Sequence, residues 1–161
     1  MTSVRYEKPA GNALKTILIA GVVAGILDLG AACISAWLRT GTSPVRVAQF
    51  IASGILGPAA FTGGAASAAL GVACHFLIAM GAAAAFYVAS RWLRVLIEWP
   101  VSMGLLYGVP VYLFTTLVVV PLSRVPQPRV APPLSARVTA ALIIMFCVGL
   151  PIALIVRRFS K

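Results

Sequence analysis

Four long apolar runs, 16–38, 66–90, 99–122 and 136–156, set the main limit on how this chain can fold. Each is close to or above the roughly 20 residues that an α-helix needs to cross a hydrocarbon core. A backbone in lipid must satisfy its own N–H and C=O groups, so continuous apolar runs of this length read as helices. The composition agrees, with 61% hydrophobic and 10% charged residues against about a quarter charged in soluble domains. The pattern predicts an all-α integral membrane four-helix bundle, one domain covering 1–161.

A fifth apolar stretch, 44–61, is interrupted by Arg46, Gln49 and Ser53 and punctuated by Gly57-Pro58. The three polar residues fall on one helical face, with Val47, Phe50, Ile51 and Ile55 largely opposite. The segment 44–57 is therefore expected to be an additional amphipathic helix between spans one and two, interfacial or re-entrant. Prolines at 121, 126, 128, 132 and 133 mark 122–136 as an extended, proline-rich connection.

The net charge of +10 does not point to nucleic acid, because the cations sit at helix ends and form no patch interleaved with aromatics. Arg5, Lys8, Lys15, Arg91, Arg94, Arg157, Arg158 and Lys161 fall on one side of the expected topology. Arg39, Arg46, Arg124, Arg129 and Arg137 fall on the other. The larger basic share faces the cytoplasm by the positive-inside rule, so both termini are expected there. Trp37, Trp92 and Trp99 lie at span ends, where indoles prefer the interface. The first run is longer than a signal-peptide core of about 7–15 residues and reads as a retained span.

Asp28 lies near the middle of the first run. A carboxylate at that depth costs about 2.5–3.5 kcal/mol on insertion scales, so it faces protein or a wet cavity and pairs or stays protonated. Gly21, Gly25 and Asp28 follow i, i+4, i+7 and share a face. Gly104 and Gly108 form a second GxxxG face, in span three. Such faces allow close helix approach, and together they suggest contact between spans one and three, or a homodimer.

In span two, Gly71, His75, Ala79 and Ala82 place the chain's single histidine on a face of small residues. Span three adds Tyr107 and Tyr112 around Pro110, and Pro151 lies in span four; proline in a membrane helix frees a carbonyl and bends the chain. At ~1.5 Å rise per residue, Asp28 lies roughly 16–18 Å from the cytoplasmic side, Tyr107 roughly 12 Å, Tyr112 roughly 20 Å and His75 roughly 22 Å. The expected site is a polar pocket of Asp28, His75, Tyr107 and Tyr112, joined by Arg46, Gln49 and Ser53 of the amphipathic helix.

Catalytic signatures are missing: no HExxH, GxSxG or Walker-type loop occurs, and there are three acids in total. Cys33, Cys74 and Cys147 fall in three different spans without metal-ligand spacing. The expectation is a non-enzymatic protein without metal or cofactor. The favoured role is a structural or accessory subunit of a larger membrane-protein complex with a buried polar pocket. The alternative is a proton-linked or small-solute transporter or channel, acting as a homo-oligomer through Asp28 and His75.

Gly-Ile-Leu-Asp (25–28), Ser-Pro-Val-Arg-Val-Ala-Gln-Phe-Ile-Ala-Ser-Gly-Ile-Leu-Gly (43–57), Leu-Gly-Val-Ala-Cys-His-Phe (70–76) and Tyr-Gly-Val-Pro-Val-Tyr (107–112) carry a family resemblance. On these residues the stretch 20–122 resembles uncharacterised bacterial inner-membrane proteins of the YagU-like kind. The resemblance implies a four-helix fold in a bacterial inner membrane, and implies no particular activity. The recurring residues of that group would correspond to Asp28, Arg46, Gln49, Ser53, Gly57, His75 and Tyr107.

Overall fold

The structure, a computed structural model, describes residues 13–126 and 132–160. Arg5, Glu7, Lys8, Arg129 and Lys161, and 127–131 of the proline-rich connection, lie outside the described residues. Among the described residues the chain forms α1 (Ala13–Thr40), α2 (Pro44–Leu56), a 3₁₀ turn (Gly57–Phe61), α3 (Gly64–Trp92), a single-turn α4 (Val95–Glu98), α5 (Pro100–Leu122) and α6 (Leu134–Ser160), with no strand. Helices α1, α3, α5 and α6 are each long and apolar enough to cross a membrane. They coincide with the four apolar runs, because length and continuous hydropathy are what a span requires.

Local chemistry sets the boundaries of α2. The Ser43 hydroxyl accepts from the Arg46 N–H at 3.3 Å, and Pro44 occupies the first turn; both are standard helix-start devices. The helix stops at Gly57, whose φ of 62° lies in the left-handed region, where a Cβ would be strained.

Along the helices the packing changes character. In the half nearest the first described residue of α1, Ala20 and Ala24 of α1, Ala83 and Phe86 of α3, and Val148, Ile152, Ala153 and Val156 of α6 form a closed core. Alanines against larger aliphatics bring the three helices into direct contact. At the other end, α2 lies against α3, and the Arg124 N–H after α5 donates to the Gly54 carbonyl of α2 at 2.9 Å.

The two GxxxG faces do not meet each other, so the expected contact between spans one and three is not made through them. A methyl group at Gly21 would lie 2.8 Å from the Met80 Cα, and one at Gly25 would lie 2.7 Å from the Phe76 ring, so this face packs on α3. Gly104 and Gly108 instead pack on α6, against Gly149, Ala153 and Met145. Small residues allow close approach but do not name the neighbour. Gly149, unremarked in the sequence, belongs to the same interface, and its spacing of four from Ala153 is the signal that marks it.

Two π-helical segments interrupt the spans: Thr115–Val119 in α5 and Met145–Gly149 in α6. Each is followed by one residue and then a proline, Val120-Pro121 and Leu150-Pro151. The N–H of Val120 bonds the Thr115 carbonyl and that of Leu150 bonds the Met145 carbonyl, five residues back. A proline ring clashes with the carbonyl four residues before it, and one extra residue per turn relieves that crowding. Pro110 sits inside the α-helical part of α5.

Candidate functional site

Beyond the closed core, α1, α2, α3, α5 and α6 line a cleft of about 410 Å³. Asp28 of α1 and His75 of α3 form part of its wall. Phe50, Ile51 and Ile55 of α2, Leu77 and Ile78 of α3, and Val111, Thr115 and Val119 of α5 supply most of the rest. Ser123 and Val125 close the end where the chain leaves α5, and Ile144 and Val148 line it from α6. Both π segments therefore contribute to the wall, through Thr115 and Val119 on one side and Val148 on the other.

His75 and Asp28 come together as follows. His75 Nε2 lies 3.0 Å from the Gly25 carbonyl; a carbonyl only accepts, so Nε2 carries the proton and donates. The same nitrogen lies 3.8 Å from Asp28 Oδ2, beyond hydrogen-bond distance but within reach of a strong electrostatic contact. The side chains retain 14% and 19% exposure, respectively. Among the described residues Asp28 accepts no hydrogen bond, so its carboxyl oxygens face His75 and the cleft. Gly25 has no side chain, and a methyl group there would lie 2.7 Å from the Phe76 ring; its absence lets α3 come close enough for His75 to reach the Gly25 carbonyl.

The remaining expected site residues lie elsewhere. Tyr107 donates to the Ala82 carbonyl at 2.8 Å and packs edge-on against Phe86 with ring centroids 5.0 Å apart. It ties α5 to α3 at the boundary between closed core and cleft. Tyr112 is half-buried and does not line the cleft. Arg46 stacks on the Phe61 ring at 4.3 Å and donates to the Phe61 carbonyl at 3.2 Å. Buried Gln49 donates to the Gly64 carbonyl at 3.1 Å, and Ser53 to the Phe50 carbonyl at 2.6 Å. Arg46 and Gln49 satisfy backbone carbonyls in and beside the turn into α3, whereas Ser53 bonds back within α2. Arg46 and Gln49 thereby hold α2 in place.

The cleft that results is mainly apolar, whereas the sequence suggested a polar pocket. Cys74, Thr115 and Ser123 are the lining residues with polar atoms that the sequence reading passed over. Phe50, Ile55, Leu77 and Ile78 are all exposed as well as lining, so they form its rim. Leu77 and Ile78 lie near the middle of α3, roughly 20 Å along the helix from Gly64. Among the described residues no group of three His, Cys, Asp or Glu side chains could hold a metal ion.

Among the described residues, fold and site together describe an all-helical protein with four helices long and apolar enough to cross a membrane, a mainly apolar cleft and one carboxylate–imidazole pair. No family model, curated protein or solved structure matches the chain.

Proposed function

We propose that this chain is a bacterial inner-membrane protein, with both termini in the cytoplasm, that takes up a small hydrophobic molecule from the bilayer through the cleft between α3 and α5. The observation that carries this reading is the exposed apolar rim of Phe50, Ile55, Leu77 and Ile78 leading to Asp28 and His75. Its volume falls within the ~300–1,000 Å³ of small-molecule sites, which combine apolar walls with a few polar groups. Intramembrane ionisable residues mark ligand or proton pathways. The transporter reading of Asp28 and His75 is thus favoured over the accessory-subunit reading, which rests on composition alone. The YagU-like assignment rests on the motif resemblance, and the reading includes no enzymatic step. We read α2 as dipping into the bilayer: it meets α3 at Gly71, roughly 10 Å into that helix.

Native mass spectrometry of the chain extracted in mild detergent tests the reading. The expected spectrum contains a stoichiometric small hydrophobic adduct, which Thr115→Phe, by filling the cleft, removes. A bare chain in both forms would overturn the proposal. A tightly held foreign protein in place of the adduct would favour the accessory-subunit reading.

A further inference from the structure

We infer that the molecule the cleft accepts is a lipophilic monocation, an alkylammonium or similar onium group whose charged head sits against Asp28 while its apolar part lies between α3 and α5. The inference rests on the proposed uptake function and specifies the chemistry of its substrate.

Charge complementarity supports it. Among the residues lining the cleft Asp28 is the sole acid, and there is no lysine or arginine. The nearest basic group, the His75 imidazole, already donates its Nε2 proton to the Gly25 carbonyl and stands 3.8 Å from the carboxyl oxygen. The carboxylate is thus left without a hydrogen bond from any described residue while its side chain keeps 19% exposure. A carboxylate in an apolar wall is costly unless closely paired; the imidazole at 3.8 Å is its sole described partner, and a cation arriving in the cleft supplies a closer one. An anion would meet the same carboxylate with no compensating cation in the lining. A neutral molecule would gain the apolar contacts alone.

Size and depth narrow the class further. Asp28 lies roughly 18–22 Å from either end of α1, beyond the reach of a headgroup anchored at the interface. The volume of about 410 Å³ is that of roughly a dozen liquid water molecules. That suits a single short chain or ring system with a compact onium head, and excludes a whole two-chain lipid.

The test uses the full chain in mild detergent, immobilised on beads, with radiolabelled octyltrimethylammonium as probe and octanol and octanoate as competitors of matched chain length. The expected result is saturable binding of one probe per chain, with both competitors weaker than unlabelled octyltrimethylammonium by about tenfold or more. Asp28→Asn is expected to abolish charge preference, and Asp28→Glu to retain it. Equal competition by all three amphiphiles on the unsubstituted chain would overturn the inference and leave the uptake function standing. Saturable binding by none of them would overturn both. Because the three amphiphiles are compared on the unsubstituted chain, the outcome does not depend on either Asp28 variant folding.

Discussion

His75 reaches across from α3 to donate to the backbone carbonyl of Gly25, 3.0 Å away on α1. The helix pair is therefore joined at mid-depth by an imidazole and a peptide oxygen, and the carboxylate one turn further along α1 takes no direct part. His75→Phe keeps a ring in place but removes the donor, and is expected to lower stability by about 0.6–1.7 kcal/mol, the range of interhelical hydrogen bonds in membranes. Asp28→Asn, whose carboxyl oxygen stands 3.8 Å from His75 Nε2, removes a carboxylate that the apolar wall leaves poorly paired and is expected to leave stability unchanged or to raise it. Thermal unfolding in mild detergent compares the two. An equal or larger loss for Asp28→Asn would make the carboxylate the holding group.

Gly71 marks the tightest approach of α2 to α3. A methyl group there would overlap the Ala48 carbonyl, a backbone atom that moves only if the helix moves. Gly71→Ala is expected to cost about 1–3 kcal/mol, as overpacking does, and to loosen α2. Gly81→Ala, with nothing within 4 Å of the new carbon, is expected to change stability by less than about 0.5 kcal/mol. Melting curves together with proteolysis around 41–64 check the pair. A neutral Gly71→Ala would place α2 further from α3 than described.

Asp28 and His75 were legible in the sequence because polar groups inside apolar runs stand out, and because Gly25 shares a face with the acid. Tyr107 and Tyr112 stood at similar depths, yet depth along a helix says nothing of direction around it, and the two tyrosines do not reach the cleft. The apolar lining, Ile78 or Val119 for instance, carries no mark that separates a cleft wall from a lipid face. Helix ends were well signposted by Ser43-Pro44 and Gly57-Pro58. Helix partners were not, since Gly21 and Gly104 advertise close approach to any neighbour. The π segments depended on Pro121 and Pro151, and neither proline distinguishes a π turn from a plain kink in the sequence.

Gln49 and Arg46 anchor α2 at the same turn with unequal strength. Gln49 is buried and its amide donates to the Gly64 carbonyl. Removing it takes away one donor from a carbonyl that the Ser67 hydroxyl also reaches at 3.1 Å, at a cost of about 1–1.5 kcal/mol for a buried hydrogen bond. Arg46 is exposed, and its stacking on Phe61 and bond to the Phe61 carbonyl are worth about 0.5–1 kcal/mol at such a site. Gln49→Leu is therefore expected to lower the melting temperature more than Arg46→Ala, and the reverse order would contradict the assigned roles.

Tyr107 sits between the closed core and the cleft without lining the cleft itself, and its two contacts can be separated. Its hydroxyl donates to the Ala82 carbonyl at 2.8 Å, while its ring meets Phe86 edge-on. Tyr107→Phe removes the first and keeps the second, and is expected to cost about 0.6–1.7 kcal/mol. Tyr107→Ala removes both and opens a cavity beside fully buried Phe86, with an expected loss of about 3–5 kcal/mol. Because the tyrosine is the direct tie between α3 and α5 at this level, Tyr107→Ala should also merge the cleft with the space left beside the core. The observable is selectivity of octyltrimethylammonium binding for chain length: the parent should discriminate against longer alkyl chains, and Tyr107→Ala should accept them. If chain-length discrimination survives in a Tyr107→Ala protein that still melts cooperatively, some other residue limits the depth of the cleft.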